Sequence, residues 1–265
     1  GGVGRWRDTA LQLASGAFVA TPLAFLVEGA FIAGLAGALA TGLALQPGGQ
    51  EMLQALAESA WLQDPANLLP LLARPAIVSA ALLVTALFVP LVEELAKAVG
   101  VGLVGYKRPD ARQAMLWGLA GGAGFAMVEG LLNTAGSLPA WAPVIVLRVG
   151  ASLLHCTTGA LMGLAWQQIL VQRRWGPALG LYGASVAVHA AWNAVSVGVA
   201  FLSLGTAAPG AAAPGGPAAA VGTWGLVACL VLLTAGLALL LAALTRRLAR
   251  QGGEPAPGPL PAGEG

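Results

Sequence analysis

Apolar residues run along this chain in six long blocks, and the charged residues gather mostly in the short segments between them. A helix needs roughly 20 apolar residues to cross the hydrocarbon core of a bilayer. Six segments reach that length, at about 10–45, 75–105, 113–136, 142–170, 177–204 and 221–245. The pattern predicts an all-α polytopic membrane protein. The first block is long enough for one tilted helix or for two short ones broken near Thr21-Pro22, and a single helix is the preferred reading. Residues 46–74 carry Glu51, Glu58, Asp64 and Arg74 at helix-like spacing, as an amphipathic segment on the membrane surface does. Residues 205–220 are rich in Ala, Gly and Pro and read as a flexible loop. A disordered tail is expected over 251–265, which leaves 1–250 as a single transmembrane domain with no internal repeat.

Composition agrees with that pattern. The chain is 57% hydrophobic and only 9% charged, with a mean hydropathy of +0.79, outside the usual range of soluble domains. A net charge of +2 and the lack of a basic cluster interleaved with aromatics argue against nucleic acid as a partner. The lipid bilayer is the expected surrounding. Cys156 and Cys229 sit far apart in apolar segments and read as small packing residues. The chain begins Gly-Gly-Val without a cleavable leader pattern, so an upstream span is left open.

The loop cations orient the spans. Arg5 and Arg7, then Lys107, Arg108 and Arg112, then Arg173 and Arg174, then Arg246, Arg247 and Arg250 fall on one side, whereas the opposite loops hold only Arg74. The positive-inside rule makes that side, with both termini, cytoplasmic. Trp6, Trp61, Trp117, Trp141, Trp175 and Trp224 lie in loops or near span ends, as an interfacial belt requires. Arginine far outnumbers Lys97 and Lys107, and Ala and Gly abound, which suggests a GC-rich bacterial genome and hence a bacterial cytoplasmic membrane.

The ionisable residues left inside the spans change the picture from structure to chemistry. They are Glu28, Glu93, Glu94, Lys97, Glu129, Arg148, His155 and His189, and the last two are the only histidines of the chain. A charge at the bilayer centre costs roughly 2.5–3.5 kcal/mol on insertion scales, so such a set must be paired or line a wet cavity. Glu93 and Lys97 share a helix face, with Glu94 one step around; Phe125, Glu129 and Asn133 form one stripe; Arg148 and His155 are two turns apart; His189 and Asn193 are one turn apart. Four helices therefore present polar stripes, and at about 1.5 Å rise per residue one layer can hold them all. Three carboxylates, Glu93, Glu94 and Glu129, face two cations, so a shared proton, a protonated histidine or a metal ion must make up the balance. Glu28 stands outside the stripes and reads as a structural partner for a buried cation. Cys156 points about 100° away from His155, which argues against a Cys-His dyad. Phe125 reads as packing.

Glu93–Lys97 as EELAK, Phe125–Glu129 as FAMVE, Arg148–His155 as RVGASLLH and His189–Asn193 as HAAWN together resemble the PrsW family of intramembrane proteases. That family lies within the wider superfamily of CAAX prenyl endopeptidases and bacteriocin-processing proteins. The likeness covers about residues 89–194 in order, spacing and membrane placement. One departure is Gly130, where relatives commonly carry asparagine; Asn133, one turn on, could stand in for it. The resemblance implies an endopeptidase acting on a membrane-anchored protein or peptide. Glu93 or Glu94 would activate water, Glu129 would help hold it, and His155 would position water or substrate. His189 and Asn193 would donate to the oxyanion, a role worth about 2.7–4 kcal/mol per donor. Lys97 and Arg148, with Asn133, would support the carboxylates.

Alternatives stay open at this point. Glu94, Glu129, His155 and His189 are a candidate zinc set, but without an HExxH motif a metal-free glutamate mechanism, needing no cofactor, is preferred. A proton- or ion-coupled transporter also uses intramembrane acids and histidines, and a non-catalytic relative that binds a membrane partner would retain the same pattern. An intrahelical salt bridge alone leaves one carboxylate over, and interhelical hydrogen bonding alone would account for His189 and Asn193.

Overall fold

The computed structural model describes residues 2–58, 67, 74–104, 107–135, 141–206 and 217–251. Every element among them is helical, and six helices are long and apolar enough to cross a membrane. The first span comprises α1 (Gly2–Ser15), a π-helical turn (Gly16–Ala20) and α2 (Thr21–Ala44); a short helix, α3 (Gly49–Ala57), follows. The second comprises α4 (Pro75–Leu83), a second π-helical turn (Val84–Phe88), α5 (Val89–Lys97) and α6 (Val99–Leu103). Spans three to six are α7 (Ala111–Ala135), α8 (Trp141–Leu170), α9 (Trp175–Thr206) and α10 (Pro217–Gln251). The expected 205–220 loop shrinks at both ends, and 207–216 and 252–265 lie outside the described residues, as does most of 58–73.

The first span is one unbroken helix through Thr21-Pro22, as preferred, and its π-turn has a local cause. Thr21 N–H bonds the carbonyl of Gly16, five residues back, and Pro22 has no N–H with which to resume the ordinary ladder. The second span repeats the device: Val89 N–H bonds Val84 O, and Pro90 follows. It also differs from the single helix expected over 75–105, because Ala98 (φ −104°, ψ 15°) breaks it directly after Lys97. The break is accommodated by close packing, since Gln12 on α1 donates to the carbonyl of Gly100 at 3.2 Å and Gly121 on α7 sits against the carbonyl of Lys97.

Spans three and four form the centre of the bundle. Over the 18-residue apolar stretch that marks each span, half of the third (50%) and two thirds of the fourth (67%) are buried, against 11% for the first, second and sixth. Without water, backbone groups are satisfied inside each helix, and association relies on close packing of small residues. A Cβ added to Gly118 would strike Gly159 O, one on Gly122 would strike His155 O, and one on Gly163 would strike Ala114 O. These antiparallel contacts advance by four residues on each helix, so they set the register that carries Glu129 to Arg148 and places His155 beside α7.

Asp8 and Lys107 form an ion pair at 2.7 Å, which puts the start of the first span and the loop after the second at one end of the bundle. Trp6, Trp175 and Trp224 are largely exposed, as a belt requires, but Trp117 is not. It is 1% exposed and packs with Ala98, Val101, Met162, Ala165 and Ala178. Its place near the start of a central helix puts it inside the bundle, where end-of-span position gives no access to the interface.

The register can be tested at one position. Gly122→Val should force α7 and α8 apart and lower the thermal unfolding midpoint in detergent, at a cost of about 1–3 kcal/mol. Gly180→Ala, where an added Cβ meets nothing within 4 Å, should leave it unchanged or raise it by about 0.5–1 kcal/mol. A Gly122→Val protein that melts at or above the wild type would refute the close packing.

Candidate active site

The short helix α5 has Pro90 in its first turn and ends on Lys97, and its buried face carries Pro90, Glu93, Glu94, Ala96 and Lys97. A cation in the last turn of a helix is favoured by the partial negative charge of the free carbonyls there. Lys97 Nζ lies 2.6 Å from Glu94 Oε1 and 3.6 Å from Glu93 Oε2, with the Phe125 ring 5.2 Å away. The side chains of Lys97 and Glu94 are wholly buried, so the two neighbouring glutamates differ: Glu94 is sealed against its lysine, whereas Glu93 reaches a cavity of about 460 Å³. Side chains from five of the six spans line that cavity, among them Glu28, Glu129, Arg148 and Asn193.

Each histidine is held from behind by a carboxylate on another helix. His189 Nδ1 on α9 lies 2.7 Å from Glu94 Oε1 on α5, and His155 Nε2 on α8 lies 3.0 Å from Glu129 Oε2 on α7. Carboxylates accept hydrogen bonds, so the network assigns the ring protons to those two nitrogens. The opposite nitrogens then present lone pairs to Glu93: His189 Nε2 is 3.7 Å and His155 Nδ1 3.8 Å from Glu93 Oε2. The rings meet edge to face, with centroids 5.2 Å apart. Glu93 Oε2 and His155 Nδ1 are both buried without a hydrogen-bond partner.

Glu129 is the most heavily bonded acid. Arg148 approaches it in a two-pronged ion pair, Nη1 reaching Oε1 at 3.3 Å and Nη2 reaching Oε2. Asn133 adds a bond to Oε1 at 2.8 Å. The Arg148 guanidinium lies beside Gly130, where an added Cβ would meet it at ordinary contact distance, 3.5 Å or more. Asn193 donates to the carbonyl of Thr85 at 2.7 Å. That carbonyl is the one a π-type bond from Pro90 would have used.

All the predicted site residues are thus brought together, but in a different division from the expected zinc set of Glu94, Glu129, His155 and His189. Glu93 stands with the two histidines, their ligand atoms within 4.8 Å of one another, while Glu94 and Glu129 hold the far sides of the rings. Helical spacing could not separate adjacent Glu93 and Glu94, because it gives a face and not a depth. Glu28 also departs from its expected role as partner to a buried cation, making no ion pair among the described residues and facing the same cavity.

Buried acids, histidines and cations converging from four membrane-length helices on one cavity make this an integral membrane protein with a built glutamate–histidine centre. It matches the family described as PrsW family intramembrane metalloprotease over residues 4–213. The chain belongs to this family of intramembrane proteases. Searches among curated proteins and among solved structures return no match.

The burial of Lys97 yields a stability prediction. Lys97→Met leaves Glu93 and Glu94 side by side without their cation, and breaking a buried pair in this way costs about 3–5 kcal/mol. The variant should unfold at markedly lower temperature in detergent, and adding Glu94→Gln should recover part of the loss. Equal melting of Lys97→Met and wild type would show that the triad contributes nothing.

Proposed function

We propose that this chain is an intramembrane metalloendopeptidase in which Glu93, His155 and His189 hold a divalent cation, zinc being the best match. The carrying observation is the convergence of one carboxylate oxygen and two imidazole nitrogens, within 4.8 Å of one another, in a buried spot where two of them have no hydrogen-bond partner. Lone pairs facing one another without a proton or cation between them repel. Two histidines and a glutamate with a fourth position open is a recurrent composition of catalytic zinc. Ligand atoms about 2 Å from zinc lie no more than about 4 Å apart, so small side-chain shifts would close the set. Histidine ligands bonded from behind by carboxylates are the usual outer arrangement of such centres. This reverses the preference drawn from the sequence for a metal-free mechanism.

When bound, the cation supplies Lewis-acid polarisation of the scissile carbonyl and lowers the pKa of water. The chain's own groups do the rest. Glu94 and Glu129 fix the tautomer of His189 and His155, so that Nε2 and Nδ1 face inward as acceptors. Lys97 and Arg148 offset the charge of those carboxylates in the apolar bundle. Asn193 has two amide hydrogens; one is bonded to Thr85, and the second is available to a substrate carbonyl in the cavity. In this tautomer His189 Nε2 has no proton to donate, so an oxyanion role falls to Asn193. The substrate is a membrane-associated protein or peptide, whose chain must unwind locally to present its peptide bond to a cavity at this depth.

Elemental analysis of the purified protein should find about one divalent metal per chain, lost in His155→Ala. The cation is asked for several kcal/mol at about 1.36 kcal/mol per tenfold. Chelation should therefore reduce cleavage of a membrane-peptide substrate at least about 100-fold, with recovery on adding zinc. Full cleavage by exhaustively chelated, metal-free protein would return the assignment to a glutamate-only mechanism. Ion flux in liposomes without cleavage would favour transport instead.

A further inference from the structure

Resting on the metal-centre reading, every acid of the polar stripes on the second to fifth spans already has an occupation. Glu93 faces the two histidines, Glu94 is closed off between Lys97 and His189, and Glu129 accepts from Arg148, Asn133 and His155. Hydrolysis still needs a group that takes a proton from water and returns one to the leaving nitrogen. Glu28, on the first span, is the remaining carboxylate in the cavity. It is 8% exposed, its Oε1 is buried without a hydrogen-bond partner, and it has no cation paired to it among the described residues.

Its placement is fixed by packing. Thr21, Ala24 and Glu28 are the buried residues of α2 and lie on one helical face. Ala20 and Ala24 pack with Ala96 and Phe125, the residues flanking Lys97 and leading to Glu129. One turn earlier Gly16 touches the backbone of Gly121, and the Thr21 hydroxyl bonds Gly16 O at 2.9 Å. The first span is thus anchored to the third and aims its single buried acid into the space that Glu93 and Asn193 line.

The geometry points to Glu28 as the proton-transfer carboxylate of the peptidase, a catalytic residue supplied from outside the four-helix polar layer. In the step assigned to it, a water oxygen forms a bond to the scissile carbonyl carbon while one water proton passes to a Glu28 carboxylate oxygen. The carbon–nitrogen bond then breaks, and that proton moves to the departing amine, leaving Glu28 as it began. Such proton transfer is typically worth 10²–10⁴-fold in rate.

The test uses the full chain in detergent or nanodiscs, with Glu28→Gln and Glu28→Ala. Both should keep the wild-type metal content and lose cleavage by at least about 100-fold. Added formate should restore cleavage at least about tenfold in Glu28→Ala and not in Glu28→Gln, a recovery that a merely structural role would not give. Three results would each overturn the assignment: wild-type cleavage by Glu28→Gln, loss of metal in step with activity (Glu28 then being a ligand), or no formate effect on folded, metal-loaded Glu28→Ala. A wild type that cleaves without metal, yet shows the same formate rescue of Glu28→Ala, would sink the metal centre and leave the Glu28 assignment standing.

Discussion

An ammonium group with no access to water governs this structure. Lys97 sits at the end of a helix inside an apolar bundle, and its charge is answered by Glu94 at 2.6 Å, Glu93 at 3.6 Å and the face of Phe125. To hold it there the helix of the second span is interrupted at Ala98, and a glycine on the third span lets the backbone of Lys97 come close. The ion cluster is a poor source of stability, because desolvation offsets much of its Coulombic gain. Its effect is to make two adjacent glutamates unlike. One is consumed in the pair, and the other is turned toward the cavity.

That asymmetry passes from helix to helix through hydrogen bonds. Glu94 on the second span orients His189 on the fifth; Glu129 on the third orients His155 on the fourth, and is itself held by Arg148 from the fourth. A carboxylate behind each ring leaves the inner nitrogens without protons, and they converge on Glu93. The centre is therefore specified by its outer contacts as much as by the three residues at its middle, and it cannot form until four helices are in register.

Much of this was legible in the sequence, because a bilayer imposes simple rules. Hydrophobic length marks the six spans, and charge placed where it is costly marks Glu93, Glu129, His155 and His189. What spacing on one helix cannot show is how helices meet. Gly118, Gly122, Gly159 and Gly163 set the register between the third and fourth spans, and only that register shows that Glu129 bonds Arg148 and backs His155 while Glu93 faces inward. Trp117 failed as a belt residue for the same reason: its depth along the helix was readable, its side of the helix within the bundle was not. Glu28 carried no motif, so only packing of the first span could place it.

The pairing of His189 with Asn193 one turn on gains a second explanation from the backbone. Pro90 permits the turn that begins α5 but leaves the carbonyl of Thr85 without its donor, and a bare carbonyl at membrane depth is costly. Asn193 supplies that donor at 2.7 Å. On one helix face, then, the histidine reaches the centre while the asparagine fastens the fifth span to the segment just before α5. A substitution at Asn193 would therefore loosen the seat of Glu93 as well as remove the proposed donor to substrate, and the proline-induced gap in the second span is what couples the two.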